Sequence, residues 1–322
     1  MKISGFTMGK NALKLYYPMR QSIESILPLV DEFIVVLGDS DEDDSTRKEV
    51  EAIGDARIRI IDTVWDIDKF PRGMEHAHQT DIAKKWCTGD WLFYLQPDVV
   101  VHENDLDKIR ERCRELVYDK EVQGLLFRYL HFWGDYEHLQ DSHCWYRKEI
   151  RIVRNLPEIH SWESAQSFRR IPDFDNLNYR QQEGTHKLRV AEVDAKIYHY
   201  GWVRPPAVMQ RKIKAFSINH RGKSKVEEQI AAHHFDKRFD FGNLSKLTFF
   251  KGTHPAVMKP WIALFDWNDQ LRFSGPSRSL NPVRSKHDMS RYRFISWIEK
   301  KILGDRRLGE FKNYILLKKQ AH

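Results

Sequence analysis

The sequence predicts an α/β protein with a Rossmann-like mixed, mostly parallel sheet flanked by helices, followed by a mainly helical, basic C-terminal extension. Three observations carry this. Short apolar strand runs alternate with helix-period segments through residues 1–100, as in successive βα units. Acidic loops fall where those strands end. Past Pro205-Pro206 the composition turns basic and helical patterns replace strand patterns.

Taken in order, Lys2 to Thr7 reads as an opening strand, and Ile23, Ile26, Leu27 and Val30 recur at the spacing of one helical face. Phe33 to Leu37 is a continuous apolar run, the mark of a strand covered on both faces. It runs into Gly38-Asp39-Ser40-Asp41-Glu42-Asp43-Asp44-Ser45, a turn in which Ser45 or Asp44 is placed to cap the next helix. Ile58 to Ile61 gives a third strand, about Gly73 to Cys87 a helix, and Trp91 to Leu95 a fourth strand. Ligands of such open sheets sit at the carboxyl ends of the strands, which singles out the Asp39 to Asp44 loop and Gln96-Pro97-Asp98. Neither GxGxxG nor GxxxxGK[ST] occurs, which argues against a dinucleotide enzyme and a P-loop ATPase.

A charged helix from about Asp105 to Tyr118 and an aromatic-rich strand from Gly124 to Trp133 come next. A loop with Asp135, Tyr136, Asp141, His143 and Trp145 then leads to a strand from Glu149 to Arg154. Lys187 to Tyr200 alternates as a late strand ending in His199-Tyr200-Gly201-Trp202. The composition shift places a boundary between residues 1–204 and 205–322.

The chain of 322 residues is 41% hydrophobic and 31% charged, the balance of an ordinary soluble protein. No apolar run approaches the roughly 18 residues of a membrane span, and the first residues lack a secretory signal, so a cytoplasmic location is expected. Cys87, Cys113 and Cys144 have neither CxxC spacing nor an even count, so reduced, mostly buried thiols are expected. The net charge of +7 hides an asymmetry: residues 205–322 hold 24 Lys and Arg against 10 Asp and Glu. Residues 1–204 hold 29 against 36. A carboxylate-rich half suits a metal, and a basic half suits an anionic partner.

The segment ISGFTMGKNALKLYYPMRQSIESILPLVDEFIVVLGDSDEDDST, with the later QTDIAKKWCTGDWLFYLQPDVVVHE, resembles the family 2 glycosyltransferases of the nucleotide-diphospho-sugar, or GT-A, fold. The resemblance covers residues 1–204 and implies a nucleotide-binding half over about 1–100 and an acceptor half over about 101–204. It further implies that Asp39, with Asp41 in the same loop, meets the nucleotide, and that Gln96 to Asp98 is the metal-binding DxD position.

Sugar transfer from a nucleoside diphosphate leaves a diphosphate whose developing charge a carboxylate-held Mg²⁺ or Mn²⁺ stabilises, and Asp98 is the candidate ligand. The first acidic position of the motif is occupied by Gln96, whose amide can orient a water or the nucleotide but supplies no charge, so weaker metal binding is expected. The alternative is that Gln-Pro-Asp only turns the chain. In the resembling family a histidine near His199 completes the metal site, and neutral imidazole suits that role. A structural histidine is the competing reading, and the pairs His76/His78 and His233/His234 are weaker candidates. Arg204 and Lys212 are candidates to pair with phosphate, or else are solvated side chains.

The acceptor hydroxyl needs a general base. Glu163 matches the family's catalytic acid by chain order, and Asp141 is the second candidate. A carboxylate facing a helix N-terminus is the alternative for Glu163. With Glu163 as base, one in-line displacement with inversion is expected. Trp133, Tyr136, Trp145 and Trp162 are either sugar-stacking faces or core. Arg291 to Leu303 forms a basic amphipathic helix, with Ile295, Ile298 and Ile302 on one face beside Phe294. Such a helix suits packing on the catalytic domain or an anionic membrane surface, where a lipid-linked acceptor is found. No nucleic-acid-binding motif is present, so nucleic acid is not an expected partner.

The expected activity is transfer of a sugar from a nucleotide-sugar donor to a hydroxyl of a glycan or lipid-linked acceptor, in envelope polysaccharide assembly by resemblance. Two rivals remain: a sugar-phosphate nucleotidyltransferase, for which Gly5, Gly9 and Lys10 are a thin triphosphate loop, and a non-catalytic carbohydrate-binding protein that kept the fold.

Overall fold

The computed structural model describes residues 1–143, 145–222, 238–275, 286–304 and 307–317. Cys144 and the pair His233/His234 lie outside these residues. Strands β1 (Ile3–Gly9), β2 (Glu32–Leu37), β3 (Ile58–Asp62) and β4 (Trp91–Tyr94) are parallel, in the spatial order β3-β2-β1-β4. Helices α1 (Met19–Ile26), α2 (Thr46–Glu51) and α3 (Met74–Lys85) lie between them in sequence. The apolar run of β2 is explained by burial on both faces: Phe33, Val35 and Leu37 pack with Ile23 and Ile26 of α1. Ile34 and Val36 pack on the other side with Ala83 of α3. From β1 the chain runs outward to β2 and β3, then returns to β4 on the other side of β1. That reversal opens a crevice between the carboxyl ends of β1 and β4.

The sheet continues through β5 (Val99–Val101), helix α4 (Leu106–Leu116), β6 (Gly124–Trp133), β7 (His138–Leu139), β8 (Lys148–Arg154), β9 (Ile159–Trp162), β10 (Ser167–Arg170) and β11 (His186–Trp202). Beyond β4 the order is β8-β6-β11-β10-β9. Here most pairs are antiparallel, with β6 and β11 parallel to each other. In that register His199 of β11 faces His131 of β6, while β5 lies antiparallel on the same stretch of β11.

After residue 204 come α5 (Pro206–Arg221), β12 (Thr248–Phe249), α6 (Lys259–Ile262), α7 (Ser290–Lys301) and β13 (Tyr314–Leu316). The described helices are thus accompanied by loops and by two short strands, β12 antiparallel to β7 and β13 parallel to β11. Phe241, Met258, Trp261 and Trp267 form one apolar cluster with Phe132, Trp133 and Tyr200 of the sheet. Trp267 is fully buried and its indole N–H donates to the Gly134 carbonyl at 2.9 Å. Trp267→Ala is therefore expected to cost about 3–5 kcal/mol in urea unfolding. A loss below about 1 kcal/mol would contradict a shared core.

Several details depart from the periodicity. Helix α1 ends at Ile26, where the Leu29 and Val30 N–H groups close a turn on the Ile26 carbonyl, although Leu27 and Val30 remain buried. At α2, Ser45 makes no side-chain cap; the Asp44 carboxylate accepts from the Thr46 N–H at 3.1 Å and the Lys14 N–H at 3.0 Å. Cys87 and Cys113 are free and buried. Among the described residues no helix is long and apolar enough to cross a membrane.

Candidate active site

Between Gly9-Lys10-Asn11 at the end of β1 and Gln96-Pro97-Asp98 after β4 lies a cavity of about 650 Å³, a volume suited to a small organic ligand. Trp65 and Asp41 line part of it, Ser164 and Gln166 another part, and Lys212 and Asn219 of α5 a third. Gly38 is needed where it stands, because a Cβ there would collide with the Trp65 indole. The Trp65 indole N–H is itself buried without a hydrogen-bond partner. Asp39 ties this rim together: Oδ2 meets Lys10 Nζ at 2.8 Å and Oδ1 accepts from the Trp65 backbone N–H at 2.8 Å. Asp41 pairs with Lys14 Nζ at 2.7 Å and its N–H donates to Asn11 Oδ1 at 2.8 Å.

Asp98 is buried, and its backbone carbonyl accepts from the Tyr200 N–H at 2.8 Å, which docks the β4 loop on β11. Its Oδ2 lies 3.6 Å from His199 Nε2 and 3.7 Å from Lys212 Nζ. Burial pushes the Asp98 carboxyl upward, but His199, Lys212 and Arg204 outweigh it and hold the group well below the usual carboxylate range. Burial, aided by Arg204, drives Lys212 down to about 7 against the pull of Asp98. Burial also lowers His199, again against Asp98.

The tautomers follow from the partners. His131 Nε2 lies 2.8 Å from the Tyr146 carbonyl, which can only accept, so that nitrogen carries the proton. His131 Nδ1 is then an acceptor, and His199 Nδ1, 2.8 Å away, donates to it. Burial, with His199 alongside, holds His131 well below its usual pKa, so the ring is neutral. When His199 is protonated its Nε2–H points at the Asp98 carboxylate and helps to hold it ionised; when the ring is neutral, with its proton on Nδ1, Nε2 turns a lone pair there instead, an arrangement set by a second layer of hydrogen bonds. The space between them exists because residue 201 is glycine: a Cβ there would collide with both Asp98 Oδ2 and His199 Nε2. Two electron-pair donors facing one gap fit a small divalent cation. Among the described residues no group of three or more His, Cys, Asp and Glu side chains converges. The remaining positions would fall to phosphate and water, as Mg²⁺ favours. Gly201→Ala is expected to cut activity at least about 100-fold, since a displacement near 1 Å costs that much. Unchanged activity with an unchanged unfolding midpoint would show that the gap is not used.

Gln96 lines the cavity, but its amide carbonyl already accepts from Arg151 Nη2 at 3.0 Å. Arg151 is fully buried and also donates to the Gln166 and Ile150 carbonyls, each at 3.0 Å. Arg204, fully buried too, is not among the cavity-lining residues: its guanidinium stacks 4.5 Å over Tyr17, which is, and donates to the Leu15 carbonyl. Its Nε and Nη2 have no hydrogen-bond partner.

Glu163 sits at φ 56° in the turn between β9 and β10, not at a helix N-terminus. Its N–H donates to the Tyr179 carbonyl at 2.8 Å and its carboxylate lies 3.6 Å from Arg180. It lines a second cavity of about 170 Å³ with Tyr146, Glu149, Trp162, Phe311 and Asn313. Gln166 borders both cavities, which sets Glu163 beside their junction. Asp141 lines neither; it pairs with Lys300 at 2.7 Å and accepts from Thr248 Oγ1 at 2.8 Å. Of the four aromatics singled out, Trp133, Tyr136 and Trp145 belong to the apolar cluster under the C-terminal segment, and Trp162 alone borders a cavity. His76 lines the larger cavity, with burial and His220 lowering it to about 4, while His78 stacks on Phe70. Sequence reasoning missed His131, Gly201, Trp65 and Arg151, all of which owe their place to strand register or to long-range packing.

No protein-family model matches the chain, and no curated protein matches it. Among solved structures, it is similar to residues 1–349 of TarS from S. aureus in complex with UDP, at 14% identity and a TM-score of 0.38, over 73% of this chain and 70% of that one. It is similar to glucosyl-3-phosphoglycerate synthase from Mycobacterium tuberculosis with Mn²⁺, UDP and phosphoglyceric acid, at 20% identity and a TM-score of 0.28, over 40% and 43%. A third similarity is to the mannosyltransferase PcManGT from Pyrobaculum calidifontis with GDP-Man and Mn²⁺, at 18% identity and a TM-score of 0.29, over 38% and 34%.

Proposed function

We propose that the chain is a GT-A-type glycosyltransferase that moves a sugar from a nucleoside diphosphate to a hydroxyl of a glycan or lipid-linked acceptor. The observation that carries this reading is Asp98, which lines the sheet's switch-point cavity together with Lys212, 3.7 Å away, and has His199, itself not a cavity-lining residue, 3.6 Å behind it. Asp98 Oδ2 and His199 Nε2 are the residues that would hold Mg²⁺ or Mn²⁺, which stabilises the charge on the departing diphosphate. Lys212 supplies a cation at the same place, and Arg204 acts on it through Tyr17 and the buried field rather than by touching phosphate. Asp41, Trp65 and the Asp39–Lys10 pair form the wall assigned to the nucleoside.

The acceptor enters by the second cavity. Glu163 takes the proton of its hydroxyl as that oxygen bonds to the anomeric carbon and the bond to the diphosphate breaks, which inverts the carbon. Catalysis is placed in residues 1–204, completed by Lys212 from α5. Incubation with a panel of UDP- and GDP-sugars and Mn²⁺ tests the reaction class by its released product. Release of a nucleoside diphosphate is expected. Release of pyrophosphate from a nucleoside triphosphate and a sugar phosphate would instead assign a nucleotidyltransferase.

A further inference from the structure

Helix α7 is packed with its polar side inward. Ser296 and Glu299 are buried, Ser296 Oγ accepting from the His143 N–H at 2.8 Å. Glu299 Oε1 meets His143 Nδ1 at 2.7 Å and accepts from the Leu308 N–H at 2.9 Å, and Arg307 pairs with the same carboxylate. Lys300 holds the helix from the side through Asp141 at 2.7 Å. Helical geometry then sends Phe294, Trp297 and Lys301 out along the opposite face, at spacings of three and four residues. Phe294 is 62% exposed, Trp297 53% and Ile302 64%, with Arg291, Arg293 and Lys301 exposed around them. The Phe294 and Trp297 rings lie nearly parallel, 6.2 Å between centroids. Burying polar groups and exposing large apolar ones is the reverse of what a solvated surface helix does.

We propose that this face of α7 docks the protein on an anionic phospholipid surface. Phe294 and Trp297 fit the boundary between headgroups and acyl chains, while arginine and lysine at the margins reach back to lipid phosphates. Charge selects this occupant over a second copy of the chain: two such faces would bring Arg291, Arg293 and Lys301 against the same cations. The whole segment 205–322 carries 24 basic residues against 10 acidic ones, which adds long-range attraction to a negative surface.

Flotation of the full chain with vesicles of phosphatidylglycerol and phosphatidylcholine, against phosphatidylcholine alone, tests the proposal. The chain is expected to float with the anionic vesicles only, and high salt is expected to weaken binding. The double variant Phe294→Ser with Trp297→Ser should bind at least about tenfold more weakly, given the apolar area removed. The double variant Arg293→Glu with Lys301→Glu should lose binding to a similar or greater degree. These side chains are exposed, so both variants should keep the wild-type unfolding midpoint, and a variant that does not is replaced by Trp297→Gln alone. Failure of the wild-type chain to float, or equal flotation of the variants, overturns the proposal. So does a wild-type dimer that the Phe294→Ser/Trp297→Ser variant dissociates, which would make the face a contact between copies. Nucleotide binding is measured separately, so either claim can fail alone.

Discussion

Asp98→Asn is expected to lower turnover by about 10³-fold or more, the several kcal/mol that a held cation supplies to a departing diphosphate. The side chain keeps its shape, so the effect is one of charge. Removing one partner from a buried ionic cluster ordinarily destabilises by about 3–5 kcal/mol. Here the loss should be smaller, about 1–3 kcal/mol, because Lys212 is already lowered to about 7 and can shed its proton when Asp98 no longer holds it. Steady-state kinetics beside thermal unfolding separates the two effects. A variant that is folded and fully active would remove Asp98 from the chemistry.

Glu163→Gln carries the second large effect. Transfer should fall by about 10²–10⁴-fold, the usual range for a general base, with donor affinity unchanged. The separation is expected because Glu163 borders the smaller cavity, while Asp98 and Lys212 border the larger one. The amide keeps its hydrogen-bonding shape and its neighbour Arg180, which lies 3.6 Å from the carboxylate, so the left-handed turn should persist. Binding isotherms for the donor and initial rates at saturating donor read the split. Full turnover in this variant would move the base elsewhere. Asp141 is poorly placed to replace it, since it borders neither cavity and holds α7 through Lys300.

The parallel half of the sheet was legible because its strands lie in apolar runs that alternate with helix-spaced segments. Phe33 to Leu37 and Trp91 to Leu95 lie close to β2 and β4, and in the mostly antiparallel half Gly124 to Trp133, a run of ten residues, is β6. The short strands β5, β7, β9, β10, β12 and β13 span two to four residues and carry no periodicity to read. They exist because long-range partners hold them. Glu163 illustrates the difference: its chain position was readable, but its place in a positive-φ turn depends on β9 pairing with β10.

The site divides in the same way. The loop ends at Asp39, Gln96 and Asp98 follow from the strand order alone, whereas the contact of Asp98 with His199 depends on β5 and β6 both pairing with β11. His131 could not be singled out among 15 histidines, because only the register sets it opposite His199 and gives His199 its tautomer. Gln96 also acquires a structural role: its amide carbonyl serves the buried Arg151 guanidinium. The metal-ligand role proposed above rests on Asp98 and His199.

Calorimetric titration of the full chain with UDP and with GDP, each with and without Mn²⁺, decides whether the Asp98 cavity is a metal-assisted nucleotide site. A nucleoside diphosphate is expected to bind, Mn²⁺ to tighten it by about tenfold or more, roughly 1.4 kcal/mol, and Asp98→Ala to abolish this gain. Binding of neither nucleotide, or a Mn²⁺ gain that survives in Asp98→Ala, would contradict that assignment.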